Sequence, residues 1–238
     1  EDAALDLEPE TEQAFLDVLV SGDEAGVRTL MAELHPADAA DLLERLGADE
    51  RARIVEILRS DFDSEILSEL DETVRDHVIE CLGVENLAAV IAGMESDDAL
   101  EVVFELDEDE QRQVLDAIPP GDRTLIEEGL TYPEDSAGRL MQREVVMAPE
   151  HWNVGEAIDY LRNQDDLPDQ FYHIVLVDPK LRPVGNVTLG KLMSSRREVA
   201  LASLLEETFH VIPVTRPESE VAYAFNQYHL ISAPVVDE

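Results

Sequence analysis

Three carboxylates, Asp97, Asp98 and Glu101, fall within one short stretch of the chain. On a helix this spacing sets Asp97 or Asp98 one turn from Glu101. Such a pair offers oxygen donors only. That suits a hard divalent cation, which takes one or two carboxylates and keeps part of its water. The same residues also suit a plain helix start with a solvated acidic face. The residues alone leave both readings open. No other constellation competes. Asp107-Glu108-Asp109 lacks the glycine and the twelfth-position glutamate of a calcium loop. Ser194-Ser195 and Ser232 have no base at a recognisable spacing, and the histidines are dispersed. An enzyme is not expected.

Charge gives these acids their context. The 238 residues carry 55 Asp and Glu against 17 Lys and Arg, a net charge of −38. Residues 1–130 hold 38 acids and 8 bases; residues 131–238 hold 17 and 9. A surface so acidic repels a phosphate backbone and the anionic face of a membrane, so nucleic acid is not an expected partner. It favours either simple solubility or carboxylates that converge on divalent cations. Hydrophobic residues make up 45%, enough for packed cores. No apolar run approaches the roughly 18 residues of a membrane span. The acidic start, Glu1 to Glu10, lacks the features of a signal peptide. The single cysteine, Cys81, excludes an internal disulfide and is expected to be a small buried hydrophobe.

The elements that must position the carboxylates come from a repeat. In steps of 24 residues, Leu30, Ile54, Val78, Val102 and Ile126 form one apolar series. Leu19, Leu43, Leu67, Ile91 and Leu115 form another, and Leu34, Leu58, Leu82, Leu106 and Leu130 a third. Within each unit the apolar residues fall at helical spacing, and acidic, Gly- or Pro-rich segments separate them. His35-Pro36 is expected to stop a helix. The reading is a mainly α N-terminal domain, a right-handed α-solenoid of about ten short helices over residues 1–131.

The pattern changes near Tyr132-Pro133. Val145-Val146-Met147 reads as a strand, and Asn153 with Glu156 as a capping box opening a helix. Asp165-Asp166-Leu167-Pro168 reads as a loop, Phe171–Val177 and Val184–Val187 as strands, and Leu189–Met193 as a helix. The order restarts with a strand at His210–Val214, a helix behind Pro217, and a strand at Ile231–Val236. Glu220-Val221-Ala222 aligns with Glu156-Ala157-Ile158 at an offset of 64. The expectation is a tandem of α+β modules, 132–200 and 201–238, the second incomplete.

This β-α-β-β-α tandem resembles a CBS domain pair. Tyr132-Pro133-Glu134-Asp135-Ser136-Ala137-Gly138-Arg139-Leu140-Met141 is similar to the join between the two cytosolic domains of MgtE-type magnesium transporters. Leu34-His35-Pro36-Ala37-Asp38 and Ser232-Ala233-Pro234-Val235-Val236-Asp237 resemble that family in the same order. The resemblance implies the cytosolic regulatory part, lying on the cytoplasmic side of the inner membrane, of a transporter that is homodimeric through its CBS domains. The membrane pore is absent from this chain. It implies that Mg2+ is bound by acidic residues between the N domain and the CBS pair and stabilises the closed pore. It implies metal contacts at Asp97, Asp98 and Glu101, and by alignment at Glu65.

The chain also departs from the CBS pattern. Thr188-Leu189-Gly190-Lys191 ends in lysine where a ribose-binding aspartate is usual, and a lysine cannot accept the ribose hydroxyl protons. His173 stands where an aromatic would stack on adenine, and His229 where the family can carry an acidic contact. The Lys191 and His173 departures argue against ATP binding by the first module, and His229 against an acidic metal contact in the second. A protein-binding scaffold and an adenylate-sensing regulator are the competing readings, the first resting on the solenoid and the second on the CBS-like half alone.

Overall fold

The structure, a computed structural model, describes residues 9–164, 167, 168 and 170–237. The first eight residues and the Asp165-Asp166 part of the expected loop lie outside the described residues. Among the described residues nine helices run through the first half: α1 (Pro9–Ser21), α2 (Glu24–Glu33), α3 (Pro36–Arg45), α4 (Ala48–Leu58), α5 (Ser64–Glu69), α6 (Glu72–Ile91), α7 (Ser96–Glu105), α8 (Glu108–Ala117) and α9 (Pro120–Leu130). Helix α6 is two helices in one run. Gly83, at φ 71° and ψ 165°, breaks it in a conformation that only glycine adopts without strain. The described array thus holds ten helical segments, against the about ten that the repeat implies.

The repeat sets the packing. Alternate helices stack, α2 on α4, α4 on α6 and α6 on α8, with α3 on α5. Leu43, Ile54, Leu67, Val78, Leu82, Ile91 and Val102 are buried between them. Acidic residues sit at the helix starts, where backbone N–H groups lack helical partners. Asp23 accepts from the Gly26 N–H at 3.0 Å, and Asp107 from Asp109 and Glu110 at 2.9 Å each. His35-Pro36 separates two helices as expected, and it also starts one: the His35 imidazole accepts from the Ala37 N–H and Pro36 opens α3. Cys81 differs from expectation. It is half-buried rather than core, 3.9 Å from the His77 ring, and burial raises its thiol pKa.

The chain divides into two compact units. One holds the array up to Met94 together with Glu101–Ile126. The other holds Glu95–Leu100 and the chain from Glu127 onward. The first turn of α7 therefore belongs with the α/β half.

That half begins with α10 (Ala137–Leu140), then β1 (Met147–Pro149), α11 (Val154–Arg162), β2 (His173–Val177), β3 (Pro183–Thr188) and α12 (Leu189–Ser194). A short 3-10 turn (Leu201–Ser203) leads to β4 (Ile212–Pro213), α13 (Glu218–Tyr228) and β5 (Val235–Val236). Strand β1 pairs parallel to β2, β2 antiparallel to β3, and β4 parallel to β5. Val146, Ala148, Val154, Ile174, Leu176, Val187 and Leu192 form the first module's core. The capping box is present: Asn153 accepts from the Glu156 N–H at 3.0 Å, and Glu156 from the Asn153 N–H at 2.8 Å. The first strand starts at Met147, not Val145: the Val145 N–H is spent on Arg143 O in a local turn, while Val146 O already accepts from the Val175 N–H at 2.9 Å. The strands expected over His210–Val214 and Ile231–Val236 shorten to two residues each.

The two modules exchange their leading segments. Ser136 bridges to Pro217, and Ala200 bridges to Asn153. The 64-residue offset relates these pairs, since Ser136 corresponds to Ala200 and Asn153 to Pro217. The Ala137 N–H donates to Arg216 O at 2.8 Å and the Gly138 N–H to Val214 O at 2.9 Å. Reciprocally, Val154 donates to Val199 O and Gly155 to Arg197 O, both at 2.9 Å. Gly138 is required for this approach: a Cβ there would lie 2.8 Å from the Tyr132 ring and 3.1 Å from Val214 Cβ. Gly138→Ala is expected to lower the urea midpoint, at a cost on the order of 1–3 kcal/mol. Gly190→Ala, where an added methyl meets nothing within 4 Å, is the control. It should leave the midpoint unchanged or raise it.

Candidate metal centre

The first turn of α7 is fastened to the segment that follows α10. The Ser96 hydroxyl donates to Glu144 Oε2 at 2.8 Å and accepts from the Arg143 N–H at 2.8 Å. The same Glu144 oxygen lies 3.5 Å from the Ser96 N–H, so a carboxylate sits at the positive end of a helix. Arg143 reaches the other way, 3.2 Å from Glu128 Oε2 and over the Tyr132 ring at 5.9 Å. Tyr132 in turn donates to Asp237 Oδ1 at 3.4 Å.

Around this knot the acids crowd. Glu95, Asp97, Asp98 and Glu144 act on one another electrostatically. Burial raises the Asp97 carboxyl above its ordinary range, and the charges of Asp98 and Glu144 add to it. Nearby backbone N–H groups of Asp97 and Asp98 offset part of the rise. Partial desolvation raises Glu95 too, followed by the charges of Asp97, Asp98 and Glu144. Asp97 Oδ1 is buried and has no hydrogen-bond partner. An orphaned carboxylate oxygen beside three further acids suits a divalent cation in its donor type. Among the described residues no three His, Cys, Asp or Glu side chains converge into a finished cage. Mg2+ needs less than a cage, because it holds several waters and takes one or two carboxylates.

The residues singled out in the sequence have different surroundings. Asp97 and Asp98 lie together in the first turn of α7. Glu101 lies one turn on, where Arg75 Nη1 is 3.2 Å from its Oε1. Glu65 is exposed in the first turn of α5, its N–H spent on Asp63 Oδ1 at 3.0 Å. Glu144 was not singled out. Its only sequence signal is its place just after the family-like join, and its partner Ser96 lies 48 residues away.

A second feature is a cleft of about 450 Å³ between the first module's strands and the second module's. Tyr172, His173, Met147, Phe225, Ile231 and Ser232 help line it, and its lining includes no lysine or arginine among the described residues. His173 Nε2 contacts the Ser232 hydroxyl across it. Lys191 is turned to its own neighbours, with Nζ 3.0 Å from Glu206 Oε1.

Comparison with known proteins locates this arrangement. Residues 34–135 match the family described as MgtE intracellular N domain, and residues 137–198 match the CBS domain. The magnesium transporter MgtE of Thermus thermophilus is 29% identical over 225 residues, covering 93% of this chain and 50% of that protein. The MgtE of Bacillus subtilis is 24% identical over 211 residues, covering 89% and 47%. The chain thus spans about half the length of these relatives. Two crystal structures share the fold at a TM-score of 0.85. One is the soluble part of a magnesium transporter, 22% identical, covering 96% of this chain and 90% of that one. The other is the cytosolic domain of the Mg2+ channel MgtE in complex with ATP, 26% identical, covering 95% and 93%.

The raised Asp97 carboxyl has a consequence for stability. A raised folded-state pKa means that the folded chain holds the proton more tightly than the unfolded one. Stability therefore falls as pH rises from the ordinary carboxylate range through the raised value, and is flat above it. In chelator at neutral pH, Asp97→Asn should raise the Tm. The advantage should fade as pH falls, read by thermal melts across pH.

Proposed function

We propose a regulatory role governed by Mg2+ for this chain, which belongs to the MgtE family through its N domain and CBS domain. That family comprises magnesium transporters and not enzymes. The regulatory part acts on the cytoplasmic side of the membrane, and among the described residues no helix is long and apolar enough to cross one. Residues 1–131 serve as the acidic array, 132–200 as the first CBS module and 201–238 as part of the second. The full-length protein is taken to pair through its CBS domains and to carry its own pore.

One observation carries the reading: the buried, unpartnered Asp97 oxygen among Glu95, Asp98 and Glu144. Without a cation these carboxylates repel. At an effective dielectric of 20, like charges about 4 Å apart oppose each other by about 4 kcal/mol. A hydrated Mg2+ reverses the sign. Asp97 and Asp98 are the leading contacts, with Glu101 and Glu65 as further ones. The bound ion favours a compact state, and in the full-length protein that state holds the pore closed. Several weak sites acting on one two-state element give a steep response. Small-angle scattering in chelator and in millimolar MgCl2, at matched ionic strength, tests it. The radius of gyration should fall with Mg2+ and fall less in Asp97→Asn. An unchanged envelope sinks the reading.

A nucleotide is a second reading, supported by the ATP complex of the solved relative and by the cleft beside His173. The absence of lysine and arginine from the cleft's described lining and the Lys191–Glu206 pair weigh against a polyphosphate. Calorimetry should find ATP binding weak or undetectable.

A further inference from the structure

Arg75 stands in α6 with only 11% of its side chain exposed, between two glutamates of α7. Its Nη1 lies 3.2 Å from Glu101 Oε1 and its Nε 3.6 Å from Glu105 Oε2. Glu101 and Glu105 are four residues apart and share one helix face. Two more acids, Glu72 and Asp76, act on Glu105 from α6. One guanidinium thus faces two carboxylates, one of which two further acids also act on. It does not satisfy them: burial still raises the Glu105 carboxyl, with Arg75 only partly opposing the rise. Nor is the arginine satisfied, since its buried Nε has no hydrogen-bond partner.

The repeat supplies an internal comparison. Arg51 stands 24 residues earlier, at the equivalent position. It donates to Leu43 O at 2.9 Å and to Leu46 O at 3.0 Å, tying down the carbonyl end of α3. Arg51 is a structural donor to backbone. Arg75, at the same place in the next unit, faces carboxylates instead.

We propose that Arg75 is a tethered counter-cation that competes with divalent ions for Glu101 and Glu105, and so sets the Mg2+ concentration at which this acidic face responds. Mg2+ binds through one or two carboxylates and its own waters. To take Glu101 it must displace a charge that is covalently held at high local concentration. Removing that charge leaves Glu101 and Glu105 open to a hydrated dication. This rests on the proposed function only in naming Mg2+ as the ion.

Thermal melts of the full 238-residue chain and of Arg75→Gln, titrated with MgCl2 against KCl at matched ionic strength, test it. The Mg2+ midpoint for stabilisation should drop on the order of tenfold in Arg75→Gln. Adding Glu101→Gln to Arg75→Gln should remove most of that drop. Equal midpoints in wild type and Arg75→Gln overturn the proposal. If Arg75→Gln is unfolded without salt, refolding in MgCl2 but not in matched KCl is the same result in stronger form, and refolding in both or in neither overturns it. A wild-type chain indifferent to Mg2+, beside an Arg75→Gln chain that responds, would sink the proposed function and leave this inference standing.

Discussion

Positive charge is scarce in this protein, and that scarcity orders the structure. Residues 1–130 have 8 bases for 38 acids. Arg51 ties down a helix end, Arg75 stands between glutamates of the next helix, and Arg28 reaches Asp61 at 2.7 Å. Most acids must be held another way. Many sit at helix starts, where the backbone supplies the donors. The stack of short helices multiplies such starts. A few acids, Asp97 among them, fall where neither arginine nor backbone suffices.

Much of the array was legible because its core repeats. The 24-residue series fell on buried positions through the middle of the array, with Leu30, Leu34, Leu106 and Leu130 half-buried, since a stacked helix can bury its stripe only against a neighbour of the same spacing. Gly83 was not legible: nothing in the apolar series says that α6 continues through the break before turning. In the second half, Asn153 and Glu156 announced their helix because a capping box is local chemistry. The strands were less well placed. Val145 has the residue type of a strand but no ladder to join, and β4 and β5 are cut short because pairing, not β-propensity, sets their length.

The candidate site divides along the same line. Asp97, Asp98 and Glu101 could be proposed from spacing, because a helix converts spacing into a face. Glu144 could not, since its contact with Ser96 exists only after folding. Spacing also treated Glu101 as equivalent to Asp97. Folding separated them: Glu101 is held by Arg75, and Asp97 is left with an unpartnered oxygen. The chemistry of an acid here is set less by its helix than by which arginine can reach it.

The exchange between the modules reaches furthest. The backbone around Ser136 is held at the head of α13, and the backbone around Ala200 at the head of α11. The order in which the chain is written is therefore not the order in which load is carried. A pull on Ala137 is borne by the second module, although Ala137 lies in the sequence span of the first. A pull on Val199 is borne by the first. The Ser96–Glu144 clasp is fixed just downstream of that first crossing. Whatever charges or discharges the start of α7 therefore acts on a mechanically closed loop, in which neither module can be displaced without straining the other.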